Sequence, residues 1–382
     1  MNKTYLSYNN IVSSLGFDSP TVVQNIHEGL SGITLIEDEN LFPNPFYASV
    51  IDSDDLGKAF EKLRPNGDYT RLEQMMILSL DKIIKASGVE LTDRVGLILS
   101  TTKGNVDTLD PKNPMPTERA YLGTLGHIIK NYFGFTTEPI VLSNACVSGI
   151  LAISIAKRFI SQGTFDQVFI VGGDIVSNFI LSGFNSFQAM SPLPCKPYCK
   201  QRAGINIGEV AASILVNKDD NNLAPEAVEV LGEASCNDAN HISGPSRTGE
   251  GLYRSIISAF KEANVGPQDI DYISAHGTAT IFNDEMEAIA LNRLGLDAVP
   301  LNSLKGYFGH TLGASGLLET IVGMHSLYHN TLYSSKGFTE LGVSQPLNII
   351  TAPTVKNLNY FLKTASGFGG CNTAAVFKKV QS

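Results

Sequence analysis

EPIVLSNACVSGILAISIAKRFISQG, residues 138–163, passes from an apolar run through a cysteine into a long apolar segment that Gly163 stops. The run at 138–145 reads as a buried strand and 147–163 as a helix. Outward from it, RVGLILSTT (94–102) and DQVFIVGGD (166–174) read as further buried strands. Later in the chain, TGEGLYRSIISAFKEANV (248–265) predicts a helix and DIDYISAHG (269–277) a strand. NDEMEAIALNRLG (283–295) is again helical, VPLNSLKG (299–306) a strand, and GASGLLETIVGMHSLYH (313–329) a helix. The last stretch, NLNYFLKTASGFGGCNTAAVFKK (357–379), reads as two strands joined by a glycine-rich turn. Strands and helices alternating this way imply a layered α/β fold with much parallel sheet. The halves share a rhythm of strand, reactive residue, glycine and long apolar helix: SNACVSGILAIS is loosely echoed by KGYFGHTLGASGLLETIV, as in an internal repeat.

The 382 residues allow one large domain or two ordinary ones, and the polar break KDDNNLAPEA places a division between 1–222 and 223–382. Only 17% of residues are charged, against an average of roughly 25%. A chain so poor in charge buries much surface internally or in a subunit interface, and it is neither disordered nor a coiled coil. A formal charge of -9 argues against a general nucleic-acid binder. The start, MNKTYLSYNNIVSSLG, is too polar for a signal peptide, and no apolar run approaches the roughly 18 residues of a membrane span. Five scattered cysteines make no disulfide framework, which points to a reduced, cytoplasmic compartment. Cys195 and Cys199 form a C-x3-C pair, but no second pair stands at finger-like spacing, so no metal site is expected.

Cys146 sits between strand and helix. A thiol at a helix N-terminus feels the positive end of the dipole, which favours thiolate, and the adjacent N–H groups suit an oxyanion. The plainer reading of such a residue is a small buried hydrophobe. His276 ends the strand DIDYISA before a small-residue turn, a position that faces the ligand crevice of α/β folds. His310 follows a glycine and precedes a helix. Taken singly, each of these two histidines also reads as structural. Lys305 lies five positions before His310, and Glu319, nine after it, stands either on a solvated helix face or returned toward Lys305 as an ion partner. His27, His127, His241, His325 and His329 lack this combination and read as structural.

Taken together, SNACVSG, AHGTATIFNDEMEA, NSLKGYFGHTLGASGLLE and SGFGGCNTAAVF resemble, in order, four signature segments of β-ketoacyl-acyl-carrier-protein synthases. NNIVSSLG, DYTRLEQMMILSLDKII and AGINIGEVAASILV extend the likeness over nearly the whole chain. The resemblance implies a thiolase fold, with two duplicated halves, each a five-stranded sheet with helices, in five α-β-α-β-α layers. It makes Cys146 the nucleophile, His276 and His310 the two catalytic histidines, and Lys305 the lysine that fixes charge and orientation around His310. Glu319 becomes the acidic partner of Lys305 and Asp284 a supporting acid. Phe368, between Gly367 and Gly369, becomes a gate whose N–H completes an oxyanion hole with that of Cys146. Two histidines imply the decarboxylating elongation type, which joins an acyl thioester to malonyl carrier protein and needs no cofactor.

The implied partners are acyl- and malonyl-loaded acyl carrier protein and a second subunit, identical or related. Lys62, Arg64, Lys196, Lys200 and Arg202 cluster in sequence and are candidates to attract an acidic carrier, the plainer reading of each being ordinary solvated surface. Departures from the family pattern are Val147 after the nucleophile, Cys371 after GFGG, and SPLPCKPYCKQRAG (191–204) in place of a Phe-Asp segment. They leave open whether the acyl chain belongs to fatty-acid or to specialised polyene or polyketide synthesis. A papain-like protease is opposed by the absence of C-G-[SA]-C-[WY]. A non-catalytic, chain-length-determining partner subunit is opposed by retention of Cys146, and an acyltransferase without condensation by retention of both histidines.

Overall fold

The computed structural model describes residues 3–238 and 244–380. The first half contributes strands β1 (Tyr5–Ser13), β2 (Val95–Ser100), β3 (Ile140–Leu142), β4 (Gln167–Asp174) and β5 (Val210–Asn217). With them come helices α1 (Arg71–Ser87), α2 (Leu122–Phe133) and α3 (Ser148–Ser161). The second half contributes β6 (Val228–Asn237), β7 (Tyr272–Ser274), β8 (Pro300–Asn302), β9 (Asn348–Ile349), β10 (Tyr360–Gly367) and β11 (Cys371–Lys379). Its helices are α4 (Glu250–Ala263), α5 (Ile281–Arg293), the short α6 (Lys305–Phe308) and α7 (Ser315–His329).

Spatial order runs β1-β5-β4-β2-β3 in the first half and β6-β11-β10-β7-β8-β9 in the second. In both, the first two pairings are antiparallel and the next two parallel. Strand order and sense therefore repeat, which the weak identity between the halves only suggested. Two features go beyond the expected pair of halves with five strands each. The second half adds β9 in parallel beside β8. Leu6 also pairs with Val228 and Tyr5 with Glu229, joining the halves edge to edge into one sheet of eleven strands.

The parallel strands are apolar on both faces, as double-sided burial demands. Ile98 and Ile170 point to the central core with α3 and α7, while Leu97, Leu99, Phe169 and Val171 face an outer layer of α1 and α2. In the second half Tyr272 and Phe361 are central, and Ile273, Leu301 and Leu362 face α4 and α5. The result is five layers, helix–sheet–helix–sheet–helix. Every residue of α7 from Ser315 to Leu327 is buried, as its lack of a polar stripe requires. Close crossing of α3 and α7 depends on two glycines. A Cβ on Gly149 would lie 2.6 Å from the Leu317 nitrogen, and one on Gly316 2.9 Å from that of Ile150.

Several predicted strands are shorter than their apolar runs. In 299–306 only Pro300–Asn302 is strand. Ser303 then leaves the sheet, giving its hydroxyl to the Gly277 carbonyl at 2.7 Å and its N–H to Ser335 at 2.9 Å, and Lys305 opens a helical turn. This break aims Lys305 inward. No helix among the described residues is long and apolar enough to cross a membrane.

Candidate active site

Cys146, His276 and His310 converge at the floor of a cavity of about 420 Å³. The Cys146 sulfur and one ring nitrogen of each histidine lie within 4.8 Å of one another. Each comes from the end of a parallel strand. Cys146 follows β3, His276 follows β7 and His310 follows β8 and α6, so the repeat delivers them to the seam where α3 and α7 begin. Ala145 carries Cys146 into place with a φ of 44°, a strained value for a residue with a side chain.

The Cys146 sulfur is 3.0 Å from His310 Nε2. Burial pushes the thiol up to about 12, with Cys371 adding to the rise and Lys305 opposing it. This shift runs against the thiolate that the helix start favours. Burial of the sulfur opposes the pull of the helix start, and a thiol raised this far calls for a base. His310 is the group at hand. Burial and then the Lys305 charge hold it well below the usual histidine value, so its ring is neutral. Its Nδ1 is 3.1 Å from the Ser315 hydroxyl, which in turn lies 3.0 Å from the Thr311 hydroxyl and accepts from the Thr311 N–H. Ser315 can give or accept a proton, so His310 finds a partner with its ring hydrogen on either nitrogen.

His276 is held differently. The Lys305 ammonium donates to the His276 carbonyl at 2.6 Å and stands 3.4 Å from His276 Nδ1. An ammonium only donates, so Nδ1 is the acceptor and the ring hydrogen sits on Nε2. The same ammonium binds Glu319 Oε1 at 2.8 Å. The expected Lys305–Glu319 pair is thus present in the structure, but Lys305 touches His276 and not His310. α6 turns the lysine back toward β7, while its charge still acts on His310. Asp284 reaches neither histidine. Its carboxylate accepts from the N–H groups of Thr278, Ala279 and Tyr198, bracing the turn after His276. Burial raises it to about 7.

Phe368 lies over the cavity, its ring stacked on Phe184 at 5.6 Å and edge-on to Phe187 at 5.3 Å. Phe184 also meets the His310 ring edge-on at 6.3 Å. Gly367 brings this segment against the nucleophile, for a Cβ there would lie 3.1 Å from the Cys146 nitrogen and 2.9 Å from the Cys371 sulfur. Gly369 has a φ of 81°, which turns the chain back into β11.

Several groups escaped the sequence reading. Glu287 accepts from the N–H of His276 at 2.9 Å and of Gly277 at 2.6 Å. Its signal was its place one helical turn after Asp284. Asp174, ending β4, accepts from Thr101, Thr102 and the Gly313 N–H, tying the first half to the start of α7. Lys363 is fully buried on β10 and lies 2.7 Å from Glu319 Oε2. The two lysines and the carboxylate occur as a set, since a buried charge stripped of its partner costs about 3–5 kcal/mol.

The C-x3-C cysteines point to different partners. The Cys195 thiol donates to the Lys305 carbonyl at 3.1 Å, and the Cys199 sulfur is 3.4 Å from the Thr339 hydroxyl. Among the basic residues expected to attract a carrier, Arg202 is withdrawn. Its side chain is 7% exposed and donates to the carbonyls of Cys199 and Gly342. Lys200 is exposed but paired with Glu340 at 2.9 Å. His241 lies outside the described residues.

Comparison with known proteins accounts for this geometry. Residues 11–222 match the β-ketoacyl synthase N-terminal domain and residues 227–339 the β-ketoacyl synthase C-terminal domain. A putative mitochondrial 3-oxoacyl-[acyl-carrier-protein] synthase of Schizosaccharomyces pombe is 27% identical, over 87% of this chain and 85% of its own length. 3-Oxoacyl-[acyl-carrier-protein] synthase 2 of Vibrio harveyi is 26% identical, over 97% of this chain and 98% of its own. Among solved structures, a ketosynthase in complex with its chain length factor from Xenorhabdus doucetiae superposes with a TM-score of 0.87 at 25% identity, covering 99% of this chain and 98% of that one. The fold is thiolase-like, and the chain belongs to the β-ketoacyl synthase family of acyl-transferring condensing enzymes.

Proposed function

We propose that the protein is a decarboxylating 3-oxoacyl-[acyl-carrier-protein] synthase that uses Cys146, His276 and His310 in distinct roles. The 3.0 Å contact between the Cys146 sulfur and His310 Nε2, in the cavity His276 also lines, carries this reading. As the sulfur attacks the acyl thioester, its proton passes to His310 Nε2 and leaves with the departing carrier thiol. The tetrahedral oxyanion sits between the N–H groups of Cys146 and Phe368, with Gly367 and Gly369 shaping that loop. Malonyl carrier protein then enters and its carboxylate leaves as CO2. With its proton gone to the carrier thiol, the His310 ring moves its remaining hydrogen from Nδ1 to Nε2, Nδ1 then accepting from the Ser315 hydroxyl. The Nε2–H groups of His276 and His310 hold the enolate oxygen that forms. The enolate carbon attacks the acyl group, a C–C bond forms, and the Cys146–acyl bond breaks to give the 3-oxoacyl thioester. Lys305 and Glu319 orient His276, and Asp284 braces the turn behind it. The test is release of CO2 together with a 3-oxoacyl product from acyl- and malonyl-carrier protein.

The acyl chain comes from fatty-acid or from specialised polyene or polyketide synthesis, and the reaction runs in the cytoplasm without a cofactor. The chain divides functionally at 222/223, with Cys146 in one half and both histidines in the other. Lys62 and Arg64 are exposed and, with Lys196, serve to attract an acidic carrier. Affinity for the carrier is therefore expected to fall with added salt, and an affinity indifferent to salt argues against this attraction.

Assembly follows from the low charge content and from β3, the half-buried edge strand of the sheet. The protein is expected to pair with a copy of itself or a related subunit through an interface on the order of 2,000 Å² or more. Light scattering at micromolar concentration should show no stable monomer. A second reading, a non-catalytic chain-length-determining subunit, has no observation in its favour, since the thiol and both imidazoles share one cavity.

A further inference from the structure

Lys363 lies in the middle of β10, between apolar neighbours, and its ammonium spends all its donors inside the protein. It gives to the carbonyls of Ser274 at 3.0 Å and Thr364 at 2.7 Å, with Ala275 at 3.4 Å, and pairs with Glu319 Oε2 at 2.7 Å. Glu319 Oε2 has no other partner among the described residues. Lys305 takes what Lys363 leaves, namely the next carbonyl, that of His276, and Glu319 Oε1. Three successive carbonyls at the end of β7 are thus capped by two ammonium groups that share one carboxylate. The two ammonium groups and the Glu319 carboxylate lie directly beneath His276, with the Glu287 carboxylate on its N–H.

We propose that Lys363 is a positioning residue for His276: with Lys305 it clamps the end of β7 and holds the imidazole with its hydrogen on Nε2, toward the cavity. Without Lys363, Oε2 loses its partner, the Glu319 carboxylate turns both oxygens to Lys305, and Lys305 is drawn off His276 Nδ1. The two ammonium charges also favour the neutral ring. Burial, then Lys305, His310 and Lys363 hold His276 well below the usual histidine value. The groups facing it are these three, the Cys146 thiol, and the Glu319 and Glu287 carboxylates, of which Glu287 binds the His276 N–H. Removing one positive charge raises the affinity of the ring for a proton.

The inference rests on the condensing reading for its consequence in catalysis, but the state of His276 is measurable without it. Nitrogen-15 NMR of the histidine rings in the wild-type protein should show His276 still neutral, with its hydrogen on Nε2, below the pH at which a free imidazole takes up its proton. In Lys363→Met, which replaces the ammonium by an apolar chain of similar length, the His276 ring should take up its proton at higher pH. Malonyl decarboxylation should fall about 10–100-fold, while acylation of Cys146, served by His310, should stay near the wild-type rate. Lys363→Gln, which can keep a carbonyl contact without the charge, should show the same raised titration. A wild-type His276 bearing its hydrogen on Nδ1 overturns the proposal whether or not either variant folds. So does an equal loss of acylation and decarboxylation in a folded variant with unmoved His276 titration. A wild-type enzyme that never decarboxylates malonyl carrier protein would count against the condensing reading and leave the NMR arm to judge Lys363.

Discussion

Cys146→Ala is expected to form no acyl adduct and no 3-oxoacyl product, yet still to release CO2 from malonyl carrier protein. The alanine removes the sulfur placed 3.0 Å from His310 Nε2. It leaves His276 on Lys305 and His310 on Ser315, so the two donors that hold the enolate stay in place. Intact mass after incubation with acyl-carrier protein reads the adduct, and trapped CO2 reads decarboxylation. The structure makes the test sharper, because Cys371 lies close by and is also buried. Its thiol is directed at the Phe368 carbonyl at 3.4 Å. An adduct that persists in Cys146→Ala and maps to Cys371 would move the nucleophile and overturn the assignment.

His276→Ala and His310→Ala should part company. Loss of His276 removes one enolate donor and should slow decarboxylation by about 10²–10³, with acylation near normal. Loss of His310 removes a donor and also the base for a thiol that burial raises to about 12, so acylation should fall as well, by about 10²–10⁴. A thiol activated by the helix start alone would instead let both variants retain acyl transfer. Lys305→Ala should behave like His276→Ala, since its ammonium lies on the His276 carbonyl and Nδ1, whereas its place in the chain pointed to His310. Rates of adduct formation and of CO2 release, measured separately for the three variants, separate these outcomes. Normal decarboxylation in both histidine variants would sink the mechanism while leaving the fold untouched.

What the sequence exposed and what it hid follow from range. Apolar runs such as 94–102 and 166–174 reveal buried strands because both faces of a covered parallel strand are apolar. The matched rhythm around Cys146 and His310 reveals the repeat, because each half must place a glycine-bearing apolar helix against the other at Gly149 and Gly316. Pairings across the chain were hidden. Nothing local says that Tyr5 and Leu6 meet Glu229 and Val228, or that a six-stranded second half continues the first into one sheet. In the site, the motifs exposed Cys146, His276 and His310, but not which histidine Lys305 serves. That depends on the turn at Ser303, set by Ser335 thirty-two residues away. Arg202 looked like surface charge in sequence and is folded under the chain by the Cys199 and Gly342 carbonyls. Lys363 left one legible mark, a lysine inside the apolar run NYFLKTAS, and its meaning came only with Glu319 opposite.

The most direct test is incubation of the wild-type protein with acyl- and malonyl-carrier protein, counting CO2 and identifying the carrier-bound product by mass spectrometry. The geometry of Cys146, His276 and His310 predicts one CO2 for each 3-oxoacyl chain formed, extended by two carbons, with an acyl adduct on Cys146 as the intermediate. Acyl transfer without CO2 release, or CO2 release with no extended chain, would contradict it.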